Sequence, residues 1–174
     1  KKLFAVDVTL DPDTANPYLI LSADGKQVTC GDTEQNLPDT PQRFTIYLAV
    51  VGKQSFSSGK FYYEVEVRGK TDWILGVMRE NINRKEWITP RPQYLARAGR
   101  PVPLTLRETV EKVGVFVDYE EGLVSFYDVK SSSHIYSFTA QSFTEKLYPF
   151  FNPGLNEGGE NSAPLIISPV SNAE

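Results

Sequence analysis

Two glutamates two residues apart, Glu64 and Glu66 in the run GKFYYEVEV (Gly59 to Val67), form the pair most like catalytic carboxylates. On a β-strand they share a face with Cβ atoms about 6–7 Å apart, from a rise of about 3.3 Å per residue. That falls within the roughly 5–10 Å over which glycoside hydrolases use two acids. Alternating glutamates are also the ordinary solvent face of a half-buried strand, and Tyr62 continues that face without an apolar pocket to tune an acid. Asp118, Glu120 and Glu121 are acids of the kind that form turns. Solvent-facing acids are therefore the expectation. The one histidine, His134, follows Ser131, Ser132 and Ser133 in what reads as an exposed turn, and the one cysteine, Cys30, would meet it only by coincidence of folding. A single histidine and a single cysteine build neither a zinc site nor an internal disulfide. The glycines of Gly154 to Gly159 lack the Lys-Ser/Thr ending of a phosphate-binding loop, and no helix pattern follows them. No catalytic residue, metal or cofactor is expected.

The remaining chemistry is that of binding. The formal net charge is −4, but Arg79 to Arg107 holds seven basic residues against two acids, so that segment is +5 and the rest −9. A net negative chain disfavours nucleic acid, whose phosphates demand an excess of Lys and Arg. The basic segment instead suits an acidic or phosphorylated patch on a protein. It overlaps a proline-rich loop, Asn81 to Pro103, that also carries Trp87 and Tyr94; a second loop, Asn152 to Pro164, is rich in glycine. Loops longer than about 12 residues in compact domains are often functional.

The elements that must hold these loops read as strands. Phe61, Tyr63, Val65 and Val67 alternate with Tyr62, Glu64 and Glu66, and Val113 to Tyr127 (VGVFVDYEEGLVSFY) folds back at Glu120-Glu121-Gly122, where glycine can take a positive φ. Strands are predicted over Tyr18 to Leu21, Thr45 to Val50, Phe61 to Val67, Trp73 to Met78, Lys112 to Asp118, Leu123 to Asp128, His134 to Phe138 and Pro164 to Ile167. Helical turns are predicted at Thr105 to Lys112 and Ala140 to Thr144. The 174 residues, 40% hydrophobic with ten Phe and nine Tyr, suit one core. No apolar run approaches the roughly 18 residues of a membrane span, so no membrane partner is expected, and the lone cysteine points to the cytoplasm.

In order along the chain, Val8 to Ala15 (VTLDPDTA), Leu37 to Phe44 (LPDTPQRF), Gly59 to Val67, Trp73 to Val77 (WILGV), Val117 to Glu120 (VDYE) and Leu147 to Phe151 (LYPFF) resemble the motifs of a PRY-SPRY domain of tripartite-motif E3 ubiquitin ligases and butyrophilins. Tyr63 stands where the family usually has tryptophan. The resemblance implies an all-β fold with little helix: a bent antiparallel sandwich of two sheets, a concanavalin-like jelly roll, forming one domain over 1–174 with the PRY part to about 57. It implies a non-catalytic module that binds a protein target through loops at about Val28 to Phe44, Gly69 to Trp73, Asn83 to Arg100, Lys130 to His134 and Asn152 to Gly158. The domain alone would be monomeric, and the whole ligase dimeric through an N-terminal coiled coil, in a setting that is often innate immunity. Carried onto this chain, the partner-binding residues are Asp72, Arg84, Trp87, Arg91, Tyr94, Arg97, Arg100, Leu155 and Asn156. Between Ile88 and Pro103 about a dozen residues of the family pattern, including a GYWT-like strand, are missing: either the loop is naturally shortened, or residues between Gln93 and Tyr94 are left out of the sequence, in which case those two are not true neighbours. Two alternatives are weaker. A butyrophilin-like sensor of a phosphorylated small ligand needs basic donors where Tyr47 and Ile74 stand, and a lectin or glycosidase rests on architecture alone.

Overall fold

A computed structural model of the chain describes residues 1–80, 83–85, 110–171 and the main chain of 93–98. Its strands are β1 (Leu19–Leu21), β2 (Gln27–Cys30), β3 (Val50–Val51), β4 (Lys60–Glu66), β5 (Trp73–Arg79), β6 (Gln93–Ala98), β7 (Lys112–Asp118), β8 (Leu123–Asp128), β9 (Ser133–Phe138), β10 (Leu147–Asn152) and β11 (Leu165–Ser168). They form two antiparallel sheets, one of seven strands in the order β1-β2-β11-β4-β7-β8-β9 and one of four in the order β3-β10-β5-β6. Helix among the described residues is confined to single 3-10 turns at Lys2–Phe4 and Glu157–Gly159. The expected all-β sandwich is thus present.

The alternation read from the sequence places the core. Phe61, Tyr63, Val65, Val113, Val115, Val117, Val124 and Phe126 on the large sheet meet Leu75, Val77, Leu147 and Phe151 on the small one in a single buried cluster that also draws in Val8 and Leu10. Tyr63 fills the expected tryptophan position with its ring beside Phe151, and its hydroxyl donates to the Gly76 carbonyl at 2.5 Å. A buried hydroxyl keeps its ring in the core only with such a partner. A second cluster of Phe44, Ala49, Val51, Met78 and Phe150 lines the small sheet's other face.

Several expectations are corrected. Thr45 to Val50 is a series of bends, with only Val50 in a strand, and Ala140 to Thr144 is irregular rather than helical. The other predicted turn lies outside the described residues over 105–109, and Lys112 opens β7. Strands β2, β6 and β10 were not foreseen. Met78 faces Gln93 and Val77 faces Tyr94 on successive rungs, so Gln93–Ala98 supplies the fourth strand of the small sheet. Glu64 is not solvent-facing but 3% exposed, as is Tyr62 at 4%. Gly114, directly across from Glu64, has no side chain, so the Tyr62 ring lies over it and donates to Glu64 at 2.7 Å. Burial, reinforced by that carboxylate, pushes the Tyr62 hydroxyl well above the ordinary phenol range.

Candidate functional site

Strand register decides which loops can act together. Leu165 pairs with Val28 and Ile166 with Glu66, while Trp73 and Asn152 lie at the start of β5 and the end of β10. The segments 30–32, 67–72 and 153–164 therefore meet at one end of the sandwich. The β8–β9 turn at Lys130 to Ser132 lies at the same end, because Asp128 pairs with Val113 and the Val129 amide donates to Lys112.

At that end the two loops interlock. Asn161, 3% exposed, accepts from the amides of Thr71 (2.8 Å) and Asp72 (3.2 Å) through its side-chain oxygen. Its side-chain nitrogen donates to the carbonyls of Asp72, Pro153 and Leu155, each at 3.0 Å. In return Lys70 donates to the carbonyls of Ala163 (2.8 Å) and Asn161 (3.4 Å). The loop thus held presents Leu155, 61% exposed, beside a cleft of about 380 Å³ lined by Tyr18, Cys30, Leu48 and Asn156 among others. Tyr18 and Ile20 on the adjoining β1 edge are exposed as well. An apolar tip beside a partly apolar cleft matches the anchor-and-pocket anatomy of protein interfaces.

The predicted residues divide. Asp72, Leu155 and Asn156 come together here. Asn156 is also structural: its side chain accepts from the Gly159 amide at 2.6 Å and donates to the Cys30 carbonyl at 3.5 Å. Tyr94 and Arg97 pair with Val77 and Ile74 on β6, which brings Arg97 back toward this end. Arg84 stands elsewhere. It donates to the Gln42 carbonyl at 2.6 Å and stacks over Phe44 and Tyr148. Tyr148 pairs with Met78, five residues along β5 from Trp73, or about 17 Å at the usual strand rise. Trp87, Arg91 and Arg100 lie outside the described residues. Asn161, Lys70, Tyr18 and Ile20 were not anticipated; the apolar Tyr18-Leu19-Ile20, with no polar alternation, was the one available signal.

Among the described residues the other candidate chemistry is not assembled. Cys30 on β2 and His134 on β9 are five strands apart in one sheet, about 24 Å at the usual spacing. His134 is exposed on a strand rather than in a turn, with its Nε2 2.7 Å from the Ser137 hydroxyl. Burial raises the Cys30 thiol above its ordinary value, which makes it a poor nucleophile. Tyr47 and Ile74 pack against the second core cluster, so the sensor alternative finds an apolar surface at those positions. Among the described residues no group of three or more His, Cys, Asp or Glu is arranged to hold a metal, and no helix is long and apolar enough to cross a membrane.

Lys70 supplies a pH signature. Burial pulls its amine down from 10.5 to about 8, against the opposing charge of Asp72. Between about pH 8 and 10.5 the unfolded chain therefore binds more protons than the folded one, and this contribution to stability rises with pH. The neutral amine still has N–H groups to donate. Urea midpoints at pH 7.5, 9 and 10 are expected to show the stability gap between wild type and Lys70→Met moving in favour of wild type as pH rises; a pH-independent gap would contradict this. Above pH 10 the buried Tyr62 and Tyr63 hydroxyls, held protonated mainly by burial, act in the opposite direction.

Two face-packed antiparallel sheets that gather interlocked loops at one end define a β-sandwich recognition module. The chain belongs to the SPRY family: the SPRY domain matches residues 60–166, and the SPRY-associated PRY domain matches 8–56. It is 44% identical over 179 residues to the erythroid membrane-associated protein of Homo sapiens and 44% identical to the E3 ubiquitin-protein ligase TRIM21 of Bos taurus, covering 95% of this chain and 38% of each relative. Pyrin of Homo sapiens is 45% identical over 95% of this chain and 23% of its own length. The chain thus spans well under half of these relatives. Among solved structures, stonustoxin superposes with a TM-score of 0.75 at 26% identity, over 95% of this chain and 29% of that one. The TRIM65 PSpry domain also gives 0.75, at 20% identity over 97% of this chain and 92% of that one, a likeness of fold.

Proposed function

We propose that this chain is the target-binding module of a tripartite-motif E3 ubiquitin ligase, a single PRY-SPRY domain over 1–174 that captures a protein partner through the loop end of the sandwich. The observation that carries it is Leu155: a large apolar side chain held 61% exposed by a hydrogen-bonded loop and set beside a partly apolar cleft. Asp72 and Asn156 lie next to it. Tyr94 and Arg97 on β6, with Trp87, Arg91 and Arg100 beyond the described residues, complete the partner-binding set, and the basic excess of 79–107 favours an acidic or phosphorylated target surface. Arg84 enters this set only by supporting the 42–45 segment. The module works as a monomer within a cytoplasmic ligase that dimerises through an N-terminal coiled coil, in innate immune signalling.

Interface anchors contribute about 2 kcal/mol or more when truncated. Leu155→Asp is therefore expected to weaken target capture by about thirtyfold or more while shifting the thermal midpoint by no more than a degree or two. Immobilised wild-type and variant domains, exposed to the same cell extract and compared by quantitative mass spectrometry, make the check. An identical set of retained proteins would overturn Leu155 as the anchor.

A further inference from the structure

The 153–164 loop is not a conformation its backbone would hold unaided. Glu157, Gly158 and Gly159 follow one another at φ 56°, 66° and 100°, and Gly154 sits at φ 74°. A non-glycine residue in the left-handed region is disfavoured by roughly 1 kcal/mol, and glycine loses the most freedom on ordering. What holds the loop is a reciprocal clamp in which each loop is gripped by a side chain of the other. Lys70, in 67–72, seizes two carbonyls of 161–163, and Asn161 seizes two amides and a carbonyl of 71–72 together with two carbonyls of its own loop. Gly154 permits the approach: a Cβ there would stand 2.9 Å from the Asn161 side-chain nitrogen and 3.0 Å from the Asp72 carbonyl oxygen.

We infer that Lys70 and Asn161 are positioning residues that weld 67–72 and 153–164 into one preformed recognition element, so that Leu155 and Asp72 are presented to the target as a unit. This rests on the recognition role proposed above. Neither side chain need touch the partner. Their contribution is pre-organisation, which raises affinity by removing the ordering entropy that a loose loop would lose on binding.

Two measurements on the whole chain separate the clamp from the recognition role. In hydrogen exchange, Lys70→Met is expected to speed exchange at the Gly159 and Asn161 amides, which Lys70 does not bond, by tenfold or more. Asn161→Asp should keep Thr71 and Asp72 protected, since a carboxylate oxygen still accepts, while releasing the amides of 154–160. Unchanged exchange at Gly159 and Asn161 in Lys70→Met would overturn the clamp itself. The second measurement is affinity for the protein retained by wild type and lost with Leu155→Asp, taken at 10 °C where the variants stay folded. Asn161→Ala is expected to lower it tenfold or more, whereas Val124→Ala, a core truncation in β8, leaves it unchanged. Equal losses from Asn161→Ala and Val124→Ala would reduce Asn161 to ordinary stability and sink the positioning role. Coupled exchange with undiminished capture in Asn161→Ala would leave the clamp standing and refute pre-organisation as the basis of recognition.

Discussion

Replacing Arg43 with methionine is expected to destabilise the domain by about 3–5 kcal/mol, a large part of the roughly 5–15 kcal/mol that holds a domain of this size together. Arg43 is 4% exposed, and among the described residues its guanidinium forms no ion pair. It donates instead to three main-chain carbonyls, those of Pro38 (2.7 Å), Ala15 (2.7 Å) and Pro12 (3.1 Å). Those carbonyls belong to two irregular segments, 12–15 and 38–43, outside the sheet ladders, and the Pro12 carbonyl also accepts from the Ala15 amide at 3.4 Å. Methionine fills much of the same volume, so the loss would not be one of packing but of donors. A buried acceptor left without a partner costs about 1–3 kcal/mol, and bonds from a charged donor contribute at the upper end of the hydrogen-bond range. Water would reach the partly buried Pro12 and Pro38 carbonyls, which keeps the total below the sum of three full penalties. Arg43→Lys should recover less than half of the loss, because one ammonium cannot span the three acceptors that the planar fork reaches. Urea midpoints for the three proteins are the measurement, and a loss under about 1 kcal/mol for methionine would show that solvent already serves these groups.

The long strands were legible because their alternation is strong and their ends are punctuated. Lys112–Asp118 and Leu123–Asp128 match the expectation residue for residue, and Gly122 takes the positive φ assigned to it. Strand β10 was hidden by Pro149, which reads as a strand breaker. The structure accommodates it because the Pro149 carbonyl still accepts from the Gly52 amide at 3.0 Å and Phe150 and Phe151 carry on the pairing with β3, so one bond is forgone rather than the ladder. Strand β2 was hidden by its brevity and by polar Gln27 and Thr29. The error at Glu64 has a different origin. Alternation shows which residues share a face but not whether that face is covered, and the cover here is the Tyr62 ring, which has room to lie flat because Gly114, on a strand fifty residues away, carries no side chain. The Lys2–Phe4 turn adds to it by placing Phe4 6.3 Å from the Phe116 ring.

The candidate site was legible as a set of loops but not in how those loops interlock. Leu155, Asn156 and Asp72 could be named from family resemblance, whereas Asn161 looked like any polar loop residue. Its importance lies in five hydrogen bonds to main-chain groups as many as 90 positions away in sequence. Periodicity carries no trace of such contacts. Arg84 shows the converse: its type and neighbours suggested a free basic contact, and tertiary packing committed it to Phe44 and to the Gln42 carbonyl.

Gly122→Ala is expected to cost about 2–4 kcal/mol, which for a chain of this length lowers the thermal midpoint by roughly 4–16 °C. Two constraints act on that glycine. Its φ of 68° disfavours a Cβ, and the main chain of Gln141 crosses directly over it. The Gln141 amide donates to the Gly122 carbonyl at 3.0 Å, and a Cβ would lie 2.7 Å from that nitrogen and closer still to the Gln141 oxygen. Backbone cannot rotate aside as a flexible side chain can, so the segment after β9 must lift, drawing Phe143 away from its 5.3 Å contact with Tyr119. Asparagine discriminates between the two constraints because it tolerates the left-handed region better than alanine does. If the crossing dominates, Gly122→Asn is as damaging as Gly122→Ala to within about 1 kcal/mol. Asparagine that restored wild-type stability would instead assign the whole effect to φ and leave Gln141 free to yield.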